Sequence, residues 1–262
     1  GGDFLHLYTL YPNANTYFLV AREDVGAIPN LLSSDTNQAL NYLHDIDFFL
    51  RDVYTRSYFI TMNMLADTKS NTKINGMLPI LYWTLGNLDF EIINVNFYLK
   101  NNIQKKLIKT DALSKNDKPC VAELMIRKKG EANVRKLYYC SFDISDNGFS
   151  ADSLGYNFIS SRVPKNCNSM VKSASYLLHY TTFSNIRNLL LDRSKILIQD
   201  DTGIPLKYFK NDSWLKEFYG EYEHPIADFS SSVYQSDLEM SYRDSLLYKG
   251  KLNFSMGYHW NS

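Results

Sequence analysis

The chain has 262 residues, 45% of them apolar, and its 28 Lys and Arg balance 28 Asp and Glu. That is enough material for a sizeable core, and it excludes disorder, collagen and coiled coil. No apolar run approaches the roughly 20 residues of a spanning helix, and zero net charge offers no global field for nucleic acid or an anionic membrane. The charge is uneven all the same: the segment from Lys100 to Lys136 holds eleven basic and four acidic residues, so it carries +7 and the remainder −7. Its charges alternate along predicted strands and project to both faces, so no specific nucleic-acid site is expected.

Three cysteines (Cys120, Cys140, Cys167) form neither a disulfide framework nor a Cys-x-x-Cys pair, and no His/Cys cluster has metal spacing. No metal or cofactor is expected. The first residue is Gly and not Met, from which removal of an upstream tag or targeting peptide is expected.

In chain order, a short helix capped by Asp3 is expected to end before Pro12, followed by a strand over Thr16–Ala21. The stretch from Leu31 to Ile74 has neither Gly nor Pro. Asp35 with Gln38 forms a capping box, Ala39, Leu43, Ile46 and Leu50 share one helical face, and Tyr54, Tyr58, Met62 and Leu65 continue in a second helix. A third helix runs from Met77 to Leu85, with Pro79 in its first turn and Gly86-Asn87 as its stop.

From Phe90 the period becomes that of strands: Glu91–Leu99, Ile103–Thr110, Cys120–Arg127 and Val134–Phe142, joined by turns too short for parallel crossovers. A four-strand meander is expected. If its last hairpin turns symmetrically about Gly130, Cys120 faces Cys140.

A helix near Ala151–Ser161 should end before Pro164. Met170–Leu177 then reads as a strand, Thr181 and Thr182 as helix caps, and Lys195–Gln199 as a second strand, an order compatible with one parallel crossover. An extended piece near Phe218–Glu223, a helix near Asp237–Ser245 and a strand over Lys251–Tyr258 complete the chain. No linker or repeat divides it, so the expected fold is a single α+β domain: a largely antiparallel mixed sheet packed against helices, with a helical block at about 31–87, the meander at about 90–142 and a mixed part at about 150–262.

Chemistry has few places to sit. Asp201-Thr202-Gly203 after an apolar run superficially matches the aspartic-protease signature, but Ile204-Pro205 follows where a small residue is needed, and no second copy exists. A tight turn is the plainer expectation, with Asp201 bonding the backbone of Gly203, Asp200 in water and Gly203 at positive φ. Against it stands a hydrolase site in which Asp200 and Asp201 act as general acid or base, joined by His179 across a common strand edge, with Lys172 or Asp3 as a further candidate member. No Gly-x-Ser-x-Gly elbow or phosphate loop is present.

Two blocks carry a resemblance. The first is Gly2-Asp3-Phe4-Leu5 with Tyr11-Pro12-Asn13-Ala14, Thr16-Tyr17 and Val25-Gly26. The second is Lys172-Ser173-Ala174-Ser175-Tyr176-Leu177 with Phe183, Ile186-Arg187, Leu190 and Ile198-Gln199-Asp200-Asp201-Thr202-Gly203-Ile204-Pro205. Together they resemble a family of uncharacterised bacterial proteins predicted to be exported, some as lipoproteins. Gly2 and Thr202 stand where that family commonly has Pro and Ser. The resemblance implies export and no reaction. With 20 tyrosines in the chain, it leads to the expectation of an exported or envelope-associated binding module with a protein or glycan partner, and a hydrolase as the alternative.

Overall fold

The computed structural model describes residues 4–28, 36–37, 40–47, 75–114, 116–225 and 233–251. The chain is α+β, with helices and a mixed, mostly antiparallel five-stranded sheet. Its contacts divide it into two compact units, one built from residues up to Arg162 and the other chiefly from Val163 onward. Asp3, the 54–65 helix and most of the last predicted strand lie outside the described residues.

The first unit is built on strands β1 (Thr16–Ala21), β2 (Phe90–Asn101), β3 (Lys106–Thr110), β4 (Val121–Lys128) and β5 (Val134–Ser141) in the order β1-β5-β4-β2-β3. Of the consecutive antiparallel pairs expected, β2–β3 and β4–β5 form but β3–β4 does not, so the order is not that of a simple meander. β4 lies beside β2, and β3 is left at the edge. The reason is length: β2 has twelve residues and pairs along both sides, whereas β3 has only five. The parallel partner of β5 is β1, which the intervening chain makes possible.

Alternation decides what each face carries. One face presents Tyr17, Leu19, Leu124, Leu137 and Tyr139, all buried. Phe4 of the Phe4–Leu10 helix meets Tyr17 and Phe90 edge-on there, at 5.1 and 5.9 Å. The Leu78–Asn87 helix, with Pro79 in its first turn as expected, buries Ile80, Leu81 and Leu85. The other face presents Phe18 stacked on Tyr138 at 4.6 Å, and Phe158 of the Ser153–Arg162 helix packs edge-on against Tyr98 at 5.0 Å. In the helix at 40–47, Tyr42 and Ile46 are buried while Leu43 is exposed, so the buried face is turned by one position from the expected one.

Glu123 is a buried carboxylate in the middle of that second face. It accepts from Lys109 Nζ at 2.7 Å, Tyr98 Oη at 2.8 Å and Asn96 Nδ2 at 3.4 Å. Burial alone would raise its pKa, but the hydrogen bonds from Lys109, Tyr98 and Tyr138 outweigh it and hold the group below its ordinary value. Much of the basic segment is consumed in the same way: Lys100 pairs with Asp152, Arg127 with Glu91, and Arg135 with Glu131. We therefore expect the protein to elute from heparin below physiological ionic strength. Retention above it would reveal a continuous basic face that these pairs do not leave.

Cys120 and Cys140 are both buried and free. Cys140 pairs with Val121, and Ser141 N donates to the Cys120 carbonyl at 2.8 Å, so the hairpin is centred between Gly130 and Glu131 and not on Gly130. A one-residue shift sends the thiols to opposite faces of the sheet, which corrects the facing pair expected from the spacing. Burial pushes the Cys120 thiol up to about 11 and raises Cys140 further.

In the second unit β6 (Cys167–Val171) and β7 (Ser194–Gln199) pair in parallel through the Ser184–Arg193 helix, which is the expected crossover. The predicted Met170–Leu177 strand is displaced, because only Met170 and Val171 of it belong to β6. Ala174–His179 is instead a 3-10 segment with Ser175 and Tyr176 at φ of 59° and 53°. Thr181 and Thr182 give no side-chain cap to the helix that follows. Two residues of β8 (Phe218–Tyr219) pair with β9 (Tyr248–Gly250), beside the Ser236–Arg243 helix.

Candidate functional site

Parallel pairing of β6 and β7 sends both strands toward one edge, where such units present their loops. The loop leaving β7 is the Asp200–Pro205 turn. Gly203 N donates to the Asp200 carbonyl at 3.1 Å, closing it. Asp200 Oδ1 accepts from both Thr202 N (3.0 Å) and Thr202 Oγ1 (2.5 Å), and Thr202 Oγ1 accepts in turn from Ser173 N at 3.0 Å. Thr202 thus ties the end of β7 to the end of β6. The Gln199 amide brackets Ile204, donating to its carbonyl and accepting from its N–H at 2.7 and 2.8 Å.

The roles of the two aspartates are the reverse of the plain turn expected from the sequence. It is Asp200, and not Asp201, that bonds the turn backbone. Its Oδ2 is sealed from solvent with no hydrogen-bond partner among the described residues. Burial pushes its pKa up to about 6, the nearby Asp201 adds to this, and the Thr202 bonds and Lys172 oppose it. Asp201 accepts a short 2.5 Å hydrogen bond from Tyr176 Oη, and burial raises its pKa as well. Gly203 has no positive φ. A Cβ there would lie 2.4 Å from Gln199 Oε1 and 2.9 Å from Gln199 Cβ, so it would displace the amide that brackets Ile204.

His179 does reach this edge, but it meets backbone. Its Nε2 lies 3.1 Å from the Asp201 carbonyl, and its ring stands edge-on to Tyr176 at 5.0 Å. Burial holds the imidazole below its ordinary pKa, so it is neutral near pH 7. A carbonyl can only accept, which places the proton on Nε2 and leaves Nδ1 without one. The segment carrying His179 is shaped by buried Arg187, whose Nη1 donates to the carbonyls of Leu178 and Tyr180 at 2.9 and 3.2 Å while its guanidinium lies 4.0 Å over Tyr208. Gln235 completes the frame, accepting from Leu206 N at 2.8 Å and donating to the Asp201 carbonyl at 3.4 Å.

Tyr176, Gln199, Thr202, Arg187 and Gln235 were not singled out as site residues from the sequence. Gln199 and Thr202 adjoin the aspartates and were within reach of a turn argument. Gln235, 34 residues from Asp201, gave no signal. Among the described residues no group of three or more His, Cys, Asp or Glu is placed to hold a metal ion, and no helix is long and apolar enough to cross a membrane.

The second unit also carries a tyrosine cluster. Tyr222 and Tyr234 stack at 6.4 Å and 17°, and Tyr242 tilts against both Tyr222 and Tyr248 at 6.3 and 6.2 Å. Its inner members close over a small core of Phe218, Tyr222 and Leu238. Tyr234 and the neighbouring Tyr219 keep 43% and 42% of their surface in water, so aromatic area remains available for a partner. No family model matches the chain, and neither a curated protein nor a solved structure matches it.

Proposed function

We propose that the chain is an exported or envelope-associated bacterial domain that acts as a binding module for a protein or glycan partner. The half-exposed tyrosines carry this reading, since aromatic faces stack on sugar rings and apolar side chains alike, and here the hydroxyls of Tyr219 and Tyr234 donate to Glu217 and Glu239 while the rings keep their exposure. The state of the turn supports it: Asp201 is held by Tyr176, Asp200 by Thr202, and His179 faces a carbonyl in place of a nucleophile or a carboxylate. Export rests on the family resemblance of the two sequence blocks. The test is co-sedimentation of the purified chain with bacterial peptidoglycan sacculi and with washed envelope membranes. The parent should sediment with one of them, and a Tyr219→Ala/Tyr234→Ala double variant should stay in the supernatant. Equal behaviour of the two would remove the tyrosine surface from the account.

The rival is a hydrolase, favoured by one observation: the Asp200 pKa of about 6 suits a general acid near neutrality. Its Oδ2 is sealed, so acid catalysis requires the turn to open. A panel of nitrophenyl esters, phosphates and glycosides decides the matter. The binding reading expects no turnover that depends on Asp200 or His179, and turnover abolished by Asp200→Ala would establish the hydrolase.

A further inference from the structure

The first unit holds a cleft of about 540 Å³, within the range of small-molecule sites. It opens at one end of the sheet, where β2 passes Leu99 and Lys100 near its end, Cys120 immediately precedes β4, and Asp24 follows β1. Its lining combines two acids, Asp24 and Asp117, with two bases, Lys100 and Lys118, around the apolar Leu99 and the Cys120 thiol. Lys100 is held by Asp152 at 2.5 Å, and Asp117 Oδ2 accepts from Ser114 N at 2.7 Å. Neither Asp24 nor Lys118 has an ion-pair partner among the described residues, so one charge of each sign faces the cleft uncommitted. Cys120 donates to the Tyr98 carbonyl and stays a neutral thiol, so it adds no charge.

That lining discriminates between ligand classes. A simple anion meets two carboxylates, a metal cation meets two ammonium groups, and an apolar ligand leaves all four charges unused. A small molecule with both charges and an apolar body complements every part of it. We propose that this cleft binds a small zwitterion of the α-amino acid class, its ammonium toward Asp24, its carboxylate toward Lys118 and its side chain against Leu99 and Cys120. The cleft belongs to the first unit, and its occupancy is independent of the tyrosine surface of the second.

Calorimetric titration of the whole chain with L-leucine, L-methionine and L-phenylalanine tests this, with isopentylamine and 4-methylpentanoate as leucine lacking the carboxylate or the amine. Saturable binding by at least one amino acid is expected, with a Kd of about 1 mM or below. The one-charge analogues should bind about tenfold more weakly. Asp24→Asn and Lys118→Met should each weaken binding about three- to fivefold, as exposed charge pairs do. Their combination should cost about tenfold or more. Both positions are exposed, and an unchanged thermal melt shows that the variants remain folded. No saturation by any of the three amino acids, equal binding of the analogues, or parent-like binding by both variants would overturn the proposal.

Discussion

Gly26→Ala is expected to destabilise the first unit by at least about 3 kcal/mol, lowering the melting temperature by roughly 6–12 °C. Gly26 and Gly76 both have left-handed backbones, with φ of 74° and 73°, and they pass each other without side chains. A Cβ on Gly26 would lie 1.6 Å from the Asn75 carbonyl oxygen, deep inside its van der Waals radius, and the obstacle is backbone that cannot rotate away. The crossing is tied by three hydrogen bonds: Ala27 N to the Asn75 carbonyl, Met77 N to that of Asp24, and Leu78 N to that of Val25, at 2.9 to 3.0 Å. Moving the two segments apart to admit a methyl group breaks these bonds and lifts the start of the Leu78–Asn87 helix from its place. Gly130 supplies the control, since its φ of 82° imposes the same left-handed strain but no atom lies within 4 Å of the added Cβ. Gly130→Ala should therefore cost only about 1 kcal/mol. Urea denaturation of both variants separates the two contributions. If Gly26→Ala costs no more than Gly130→Ala, the close approach is not a structural requirement.

Local pattern made much of this architecture legible in the sequence, and the limits were set by contacts between distant segments. β1, β5 and β7 announce themselves by β-branched and aromatic content, and the Leu78–Asn87 helix by its proline at the start. Strand order was beyond reach, because β2 offers two edges and nothing local says that β4 and not β3 takes the second hairpin's place beside it. β6 was misplaced for a different reason. Ser173 to Leu177 looks extended in sequence, but Ser175 and Tyr176 adopt left-handed backbones that no residue type there announces, and the surrounding Arg187 and Asp201 contacts sustain them. The site itself was half legible. Adjacent carboxylates before a glycine marked the turn, but which of them bonds its backbone depends on Thr202, held by the Ser173 N–H, a contact made only once β6 and β7 have paired.

Replacing Asp200 by Asn should remove a pH dependence of stability that the parent carries between pH 4.5 and 7.5. The folded-state pKa of Asp200 is raised from 3.8 to about 6, so the folded chain holds this proton more tightly than the unfolded chain does. The stabilisation that follows is fully present below the unfolded value and is lost as pH rises through about 6. Above that, the ionised carboxylate sits with Oδ2 unpartnered and out of water, at a cost on the order of 3 kcal/mol relative to the protonated form. Asn keeps the acceptor that Thr202 uses and carries no charge at any pH. The stability of Asp200→Asn minus that of the parent should therefore grow by about 2 kcal/mol from pH 4.5 to 7.5, whatever its starting offset. The difference is the informative quantity because His179 titrates in the same range with the opposite sign. Burial lowers its proton affinity, so its own contribution is lost as pH falls, and it is common to both proteins. Asp201 and Lys172 face the same carboxylate, and both are retained in the variant. Urea unfolding at several pH values supplies the measurement. A difference that stays flat across the range would mean that Asp200 ionises as an ordinary exposed carboxylate, and with it would go the buried-acid character on which the hydrolase alternative depends.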